Sequence, residues 1–246
     1  MENIIIGRNP VMEAIRSGRT IEKILIKKGK YEGSIVPLVK KAKEQRIIIQ
    51  ETERQKLDAL AEGGNHQGVV AYVSDFAYCS VNDILERAAE RGEAPFVVLL
   101  DKITDPHNLG AIIRTAECAG VHGIIIPKRG SVGVNGTVEK TSAGAAEHMP
   151  VAKVTNLAQT IDALKEKGMW FAAADMDGEE MYSVDLKGSL GLVIGSEGSG
   201  VSRLVKEKCD FIATIPMKGR INSLNASVAG GILMYEALRQ RTGGSK

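Results

Sequence analysis

Residues 192–200 read Leu-Val-Ile-Gly-Ser-Glu-Gly-Ser-Gly, an apolar run that ends in a glycine-rich turn carrying one carboxylate. Further along, residues 215–227 read Ile-Pro-Met-Lys-Gly-Arg-Ile-Asn-Ser-Leu-Asn-Ala-Ser. The first stretch predicts a strand that opens into a loop with exposed backbone N–H groups. The second predicts a strand end, a polar loop and the start of a long helix. Loops at two strand ends favour a ligand pocket over a packing feature.

Apolar strands alternate with helices along the whole segment that contains these motifs. Such near-continuous apolar strands are typical of a parallel sheet covered on both faces. We predict strands at 96–100, 123–126, 152–154, 169–174, 190–194 and 211–215, with helices at 108–119, 138–145, 157–167, 201–207 and 223–240.

The first part of the chain follows a β-α-β-α-β-α-β order that indicates a small α/β layer domain. Its first helix is expected to have Asn9 as N-cap and Pro10 at the first helical position. The other elements are strands at 4–6, 21–26, 47–49 and 69–73 and helices at 34–45 and 54–61. We therefore divide the chain into an N-terminal domain (1–74), a linker (75–95) with a helix near 83–91, and a C-terminal domain (96–246).

Composition limits the function only weakly. The 246 residues are 43% hydrophobic and 25% charged, as is usual for a soluble globular protein. Aromatic residues make up 4%, which argues against an RNA binder built on stacking platforms. Residues 1–74 hold 13 Lys and Arg against 9 Asp and Glu. This net charge of +4 suits an RNA-holding module, although an ordinary solvated surface explains it equally well.

The cysteines and histidines give no sign of a metal site. Cys79, Cys118 and Cys209 form no C-x-x-C pair, and the four histidines lack ligand spacing, so we predict no bound metal. Cys118 lies in an apolar helical run and is expected in the core. With no leader sequence and no apolar run of about 18 residues, the protein is expected to be cytosolic and soluble, with no membrane partner.

Nucleotide-cofactor motifs are missing at the usual position. The first strand of the C-terminal domain is followed by residues 101–110, Asp-Lys-Ile-Thr-Asp-Pro-His-Asn-Leu-Gly, which is not the G-x-G-x-x-G fingerprint. No Walker A sequence occurs either. An oxidoreductase on a doubly wound sheet is therefore disfavoured but stays an alternative.

A third motif, Asn-Leu-Gly-Ala-Ile-Ile-Arg-Thr-Ala at 108–116, completes a family pattern. Together the three motifs resemble those of the SpoU (TrmH-type) branch of the SPOUT RNA methyltransferases, over roughly residues 95–240. The resemblance implies 2′-O-methylation of an RNA ribose with S-adenosylmethionine as donor and S-adenosylhomocysteine as product. It also implies a deep trefoil knot, a homodimer that completes the active site, and an N-terminal RNA-binding domain that ends near His66-Gln67-Gly68.

The resemblance assigns catalytic roles at five positions: Asn108, Arg114, Glu197, Ser223 and Asn225. It places the donor against Gly195, Ile215, Met217, Gly219 and Leu224. Simpler structural roles remain open: Asn108 and Ser223 as N-caps, Glu197 as an exposed turn residue, and Arg114 in a buried ion pair with Glu117 or Glu197. A guanidinium stays protonated and is a poor base, so we prefer Arg114 as a grip on an RNA phosphate and the ribose oxygen.

Among bacterial members, the added N-terminal domain most resembles the guanosine 2′-O-methyltransferases of large-subunit ribosomal RNA. We therefore expect a guanosine in that RNA as substrate. The alternatives are a tRNA guanosine methyltransferase of the same family and a non-catalytic RNA-binding assembly factor.

Overall fold

A computed structural model describes residues 4–17, 19, 21–45, 47–73, 76–220 and 223–243. The chain divides into two compact units, Met1–Ala77 and Tyr78–Lys246. Among the described residues, no helix has the length and apolar character needed to cross a membrane.

The first unit has the predicted element order. Its elements are β1 (Ile4–Ile6), α1 (Arg8–Arg16), β2 (Ile21–Lys27), α2 (Ile35–Glu44), β3 (Ile48–Thr52), α3 (Arg54–Ala61) and β4 (Val69–Val73). The sheet order is β1-β4-β2-β3, in which only β2 and β3 run parallel. Side chains of β2 alternate between its faces: Ile24 and Ile26 pack with α1 and α2, and Leu25 packs with Leu57 of α3.

The start of α1 differs from the prediction. Gly7, not Asn9, occupies the N-cap position, with a φ of 94° that favours glycine. Pro10 therefore lies in the first turn rather than at the first helical position. The first four N–H groups of a helix lack intrahelical partners, so a proline costs no hydrogen bond there.

The second unit contains the predicted parallel sheet. Its strands are β5 (Phe96–Asp101), β6 (Gly123–Pro127), β7 (Val151–Val154), β8 (Trp170–Glu180), β9 (Leu190–Gly195) and β10 (Phe211–Thr214). Its helices are α4 (Val81–Glu90), α5 (Pro106–Cys118), α6 (Gly136–Thr141), α7 (Leu157–Lys165), α8 (Arg203–Lys206) and α9 (Ala226–Arg241). The strand order is β10-β8-β9-β5-β6-β7, and β5 and β9 are buried along their whole length. The α/β fold class is confirmed; the trefoil knot stays a prediction.

Most of the segment that the sequence assigns to a linker clusters with the second unit. Cys79 forms a bridge to Ala152 at the end of the sheet, and Ile84 of α4 is fully buried in the core. Ser80 caps α4 through a capping box with Asp83. The second unit thus begins before its first strand, β5. Residues 74 and 75 of the predicted boundary lie outside the described residues.

Strand order defines where a ligand site can form. From β5 the chain proceeds outward to β6 and β7, while β9 lies on the other side of β5 next to β8. Asp101 at the end of β5 is in register with Gly195 at the end of β9. Ligands of open α/β sheets bind at the carboxyl ends of strands where the order reverses in this way.

Candidate active site

Three side chains from separate motifs form one hydrogen-bonded network beyond the ends of β5 and β9. The Nδ2 of Asn108, on α5, donates to the Oε1 of Glu197 at 2.8 Å. The Nδ2 of Asn225 donates to the Oδ1 of Asn108 at 2.8 Å and also to the Oε1 of Glu197. Asn108 is buried although Glu197 and Asn225 are exposed. The fold thus joins residues that lie 89 and 28 positions apart in the sequence.

The orientation of this network follows from the start of α9. The Oδ1 of Asn225 accepts from the backbone N–H groups of Ser227 at 2.9 Å and Val228 at 3.3 Å. Its other amide atom must therefore be the nitrogen, which can only donate. Asn225 is both the N-cap of α9 and a fixed donor to Glu197, whose carboxylate lies near the positive end of the helix.

A cavity of about 470 Å³ lies on one side of Glu197. Its lining includes Gly195, Ile215, Met217 and Leu224, four of the five residues predicted to hold the donor, and also Ser223. A Cβ on Gly195 would overlap the backbone of Gly200, so glycine is required where this loop closes on itself. We call this space the donor cavity.

The loop after β9 forms a tight hairpin. The N–H of Gly200 donates to the Ser196 carbonyl at 2.9 Å, and the N–H of Ser196 donates back to the Gly200 carbonyl at 3.2 Å. This closure fixes the position of Glu197 at the edge of the donor cavity.

A second cavity of about 700 Å³ lies against the same loop. Residues 196–199 and Ala226 line both cavities, so the Glu197 loop forms a shared wall. Asn108 lines the second cavity, as do Lys102 and Arg129, which are exposed. Lys102 has a φ of 59°, a conformation that non-glycine residues rarely adopt and that often occurs at functional sites. We call this space the acceptor cavity.

An ion pair that sequence analysis missed lines the donor cavity. Lys206 pairs with Asp175, and both side chains are largely buried. Burial of Asp175 favours its neutral form, but the bond from Lys206 and the N–H of Met176 outweigh it and hold the pKa of Asp175 below its ordinary value. Sequence analysis missed this pair because the two charged residues are 31 positions apart and so form no local pattern. The elements that carry them were also predicted only approximately.

Arg114 lies apart from the network. It is exposed on α5, and the described residues include none that pairs with it and place it in the lining of neither cavity. The expectation of a buried ion pair with Glu117 or Glu197 is therefore wrong. Cys118, one turn further along the helix, is exposed and not in the core as expected. Both errors have one cause: the apolar residues Ile112, Ile113 and Ala116 of this helix are buried, whereas positions 114 and 118 lie one turn apart on its exposed face.

The alternative capping roles are also wrong. Asp105 caps α5, with Pro106 at its first position, and the side chain of Asp105 accepts from the N–H of His107 at 2.9 Å. Asn108 is thereby free for the network. Ser223 precedes the helix and Asn225 caps it. Gly219 is exposed and does not appear in the lining of the donor cavity.

Within the described residues, the structure contains no group of three or more His, Cys, Asp or Glu side chains that could hold a metal ion. The thiol of Cys209 is no better candidate as a ligand or nucleophile, since burial raises its pKa to about 12. The prediction of a metal-free site stays a prediction.

Both units match known protein families. Residues 95–235 match the SpoU rRNA Methylase family, and residues 4–79 match the substrate-binding domain of RNA 2′-O ribose methyltransferases. YacO of Bacillus subtilis, assigned to the TrmH family of tRNA/rRNA methyltransferases, is 48% identical over 238 residues, which cover 96% of this chain and 95% of YacO.

Two solved structures extend the likeness to the fold. The SpoU methyltransferase AviRb of Streptomyces viridochromogenes, in complex with AdoMet, is 26% identical with a TM-score of 0.63, over 99% of this chain and 92% of AviRb. An AdoMet-bound rRNA methyltransferase of Sinorhizobium meliloti is 25% identical with a TM-score of 0.61, over 96% of this chain and 87% of that protein. The predicted enzyme class and cofactor are confirmed at the level of the family. By the match across its catalytic half and the 48% identity to a full-length relative, this chain belongs to the SpoU rRNA methylase family.

Proposed function

We propose that this chain transfers a methyl group from S-adenosylmethionine to the 2′-hydroxyl of a guanosine ribose in large-subunit ribosomal RNA. One observation carries the proposal: two cavities share a wall on which Glu197 is held by Asn108 and Asn225. Methyl transfer is an in-line displacement that needs a donor and an acceptor on opposite sides of one reacting carbon. Two adjoining cavities supply that arrangement.

The donor cavity suits S-adenosylmethionine. Its volume of about 470 Å³ lies within the range of about 300–1,000 Å³ that is typical of small-molecule sites. Ile215 and Leu224 offer apolar surface to an adenine ring, and the Gly195 loop offers backbone groups close to the ligand. When bound, this donor supplies a methyl group that its sulfonium already activates, so no metal is needed.

The network then orients the reacting hydroxyl. The Oε1 of Glu197 is occupied by two amide donors, and its Oε2 is left to accept from a ribose hydroxyl in the acceptor cavity. Arg114 would hold the neighbouring phosphate, which assists removal of the 2′ proton. Lys102 and Arg129 line the acceptor cavity and supply positive charge to the RNA backbone there.

A homodimer would bring Arg114 to the site. Arg114 is exposed on α5, which packs against α9, and α9 itself exposes Val228 (49%) and Tyr235 (50%). Pairing this face with its copy buries apolar side chains and carries Arg114 toward the other subunit's cavities. We propose that each active site takes its network from one subunit and Arg114 from the other.

Ribosomal RNA is favoured over tRNA because the Sinorhizobium meliloti neighbour, named as an rRNA methyltransferase, matches across both units. A guanosine target and a kinship with the bacterial large-subunit enzymes rest on the motif resemblance. A cytoplasmic location follows from such a substrate. A tRNA guanosine remains the second candidate, since the name of YacO covers both RNA classes. An assembly factor without activity is less well supported because the network is intact.

The test is direct. Purified protein is incubated with methyl-labelled S-adenosylmethionine and either unmodified large-subunit rRNA or bulk tRNA. We expect label in the rRNA alone, at one linkage that resists alkali because its 2′-hydroxyl is blocked. Label in tRNA would overturn the substrate but keep the chemistry, and donor binding without label in either RNA would support an assembly factor.

A further inference from the structure

A cavity of about 530 Å³ in the first unit is strongly basic. Its lining includes five Lys or Arg side chains and one carboxylate, that of Glu32; the basic residues are Arg8, Lys27, Lys28, Lys30 and Arg54. None of the described lining residues is Phe, Tyr or Trp, and the one imidazole, that of His66, is buried and held by Asp58 and Gly68. This surface favours an anion and offers no platform for a stacked base.

One wall of the cavity is a rigid turn at 65–68. His66 is buried, its Nδ1 accepts from the N–H of Gly68 at 2.9 Å, and its Nε2 therefore donates to Asp58 at 2.8 Å. Gln67 is held in the left-handed region, with a φ of 51°. Strain of this kind persists only where surrounding contacts impose it, and it is frequent in ligand-binding turns.

Arg8 joins this turn to the start of α2. Its Nε donates to the Gln67 carbonyl at 2.9 Å and its Nη1 donates to the Oγ of Ser34 at 3.3 Å. The Oε1 of Gln67 in turn accepts from the Arg8 N–H at 3.3 Å. The guanidinium is thus fixed in the cavity wall by neutral partners, neither of which brings a negative charge to it.

The remaining cations differ in how they are paired. Lys28 forms an ion pair with Glu53 at 2.8 Å, and Arg54 lies 3.7 Å from Asp58. Lys27 and Lys30 are exposed, and among the described residues neither has a carboxylate partner. Two free ammonium groups therefore lie beside a fixed guanidinium.

We propose that this cavity binds adjacent backbone phosphates of the RNA substrate, with Lys27 and Lys30 as the binding cations and the 65–68 turn as a rigid wall. The proposal rests on the proposed function for the identity of the RNA and adds the residues and the chemical group by which the first unit holds it. Recognition of phosphates positions an RNA without reading its sequence. The choice of nucleotide then belongs to the second unit.

The experiment compares two double variants of the full chain. Lys27→Ala/Lys30→Ala removes the two cations of the cavity. Lys40→Ala/Lys43→Ala removes two exposed lysines of α2 in the same unit, neither of which lines the cavity. Binding of a large-subunit rRNA fragment is measured from 50 to 200 mM salt, with melting temperature and S-adenosylmethionine affinity as checks on folding.

We expect the cavity variant to bind RNA about tenfold more weakly at low salt, with a salt slope smaller by about 1.4, since a single strand gives about 0.7 per neutralised phosphate. Its KM for RNA should rise while kcat at saturating RNA stays unchanged. The α2 variant should differ from the unmodified chain by less than twofold.

Equal losses in the two variants would mean that overall charge holds the RNA, and no loss in either would mean that the RNA binds elsewhere. Either result overturns the proposal. The proposed function can fail separately. If the chain binds RNA through Lys27 and Lys30 but transfers no methyl label, the phosphate-binding proposal stands and the proposed methyl transfer is wrong.

Discussion

The two units hold their polar groups in opposite ways. In the second unit, Asn108, Glu197 and Asn225 are bonded to one another and to the start of α9. In the first unit, Lys27 and Lys30 have no ionic partner among the described residues. Chemistry needs groups that are fixed before the substrate arrives, whereas an electrostatic grip on a flexible backbone works with mobile charges. The arrangement of each site therefore suits the task that we propose for it.

The largest expected effect comes from breaking the fixed network. Glu197→Gln preserves the size of the side chain but replaces a carboxylate with an amide, so the two amide donors lose a charged acceptor. We expect kcat to fall by about 100-fold or more, a size typical of losing one preorganised electrostatic contact. Single-turnover transfer of labelled methyl groups measures this loss, and RNA affinity should stay within twofold.

Ser199→Ala is the matched control. Ser199 is in the same loop and lines both cavities, and its Oγ lies 2.8 Å from the Oγ of Ser196, outside the network. We expect less than about a fivefold loss of kcat, given that a neutral exposed hydrogen bond contributes about 1 kcal/mol or less. Near-normal turnover in Glu197→Gln would show that the network does not contribute to methyl transfer.

Local pattern predicted much of this fold, whereas the candidate site residues came from the motif resemblance. Strand β4 and helix α3 follow the sequence prediction to the residue because their apolar periodicity and flanking turns are local signals. β8 runs on to Glu180, beyond its apolar segment, since pairing with β10 supports residues that have no strand pattern of their own.

The roles within the site were harder to predict. Asn108 and Ser223 have residue types that often cap helices, but Asp105 and Asn225 lie at the actual helix starts. Only the fold brings Glu197 to Asn108, so no spacing rule could distinguish a cap from a network member. The pairing of Asp175 with Lys206 depends in the same way on contacts that are distant in sequence.

Arg114 is an exception to this contrast between the units, because it is a cation of the second unit that has no partner among the described residues. If it serves the partner's site, Arg114→Ala and Glu197→Ala should each be nearly inactive alone but complement each other in mixed dimers. A mixed dimer then has one site with both residues intact. Random pairing of equal amounts should restore about a quarter of the wild-type rate, as expected for a twofold dimer.

Co-refolding the two variants and measuring methyl transfer tests this. Recovery of no activity would place Arg114 in the site of its own subunit. Arg114→Lys alone serves as a control on the side chain: lysine keeps the charge but loses the bidentate fork, so the Arg114→Lys homodimer should also be slow.

The smallest expected effect concerns the second internal pair of the catalytic unit, Asp175 and Lys206. Because the folded-state pKa of Asp175 lies below its ordinary value of 3.8, its ionised form contributes stability above that pH, and the contribution is lost as the pH falls through the lower, folded-state value. Asp175→Asn should lower the melting temperature at pH 7 by about 2–4 °C, as about 1 kcal/mol does in a protein of this size. The difference from the wild type should shrink as the pH falls below 3.8.

Thermal unfolding over a pH series measures that difference, with Asp177→Asn as an exposed control two residues away. A gap between Asp175→Asn and the wild type that is the same at pH 7 and at pH 3 would show that packing, not charge, makes the contribution. In the first unit, Lys27→Ala/Lys30→Ala should leave the melting temperature unchanged at every pH, since a cation without a partner contributes to ligand binding and not to folding. A drop in that variant as large as in Asp175→Asn would mean that Lys27 and Lys30 are also bound within the fold, and the contrast between the two units would fail.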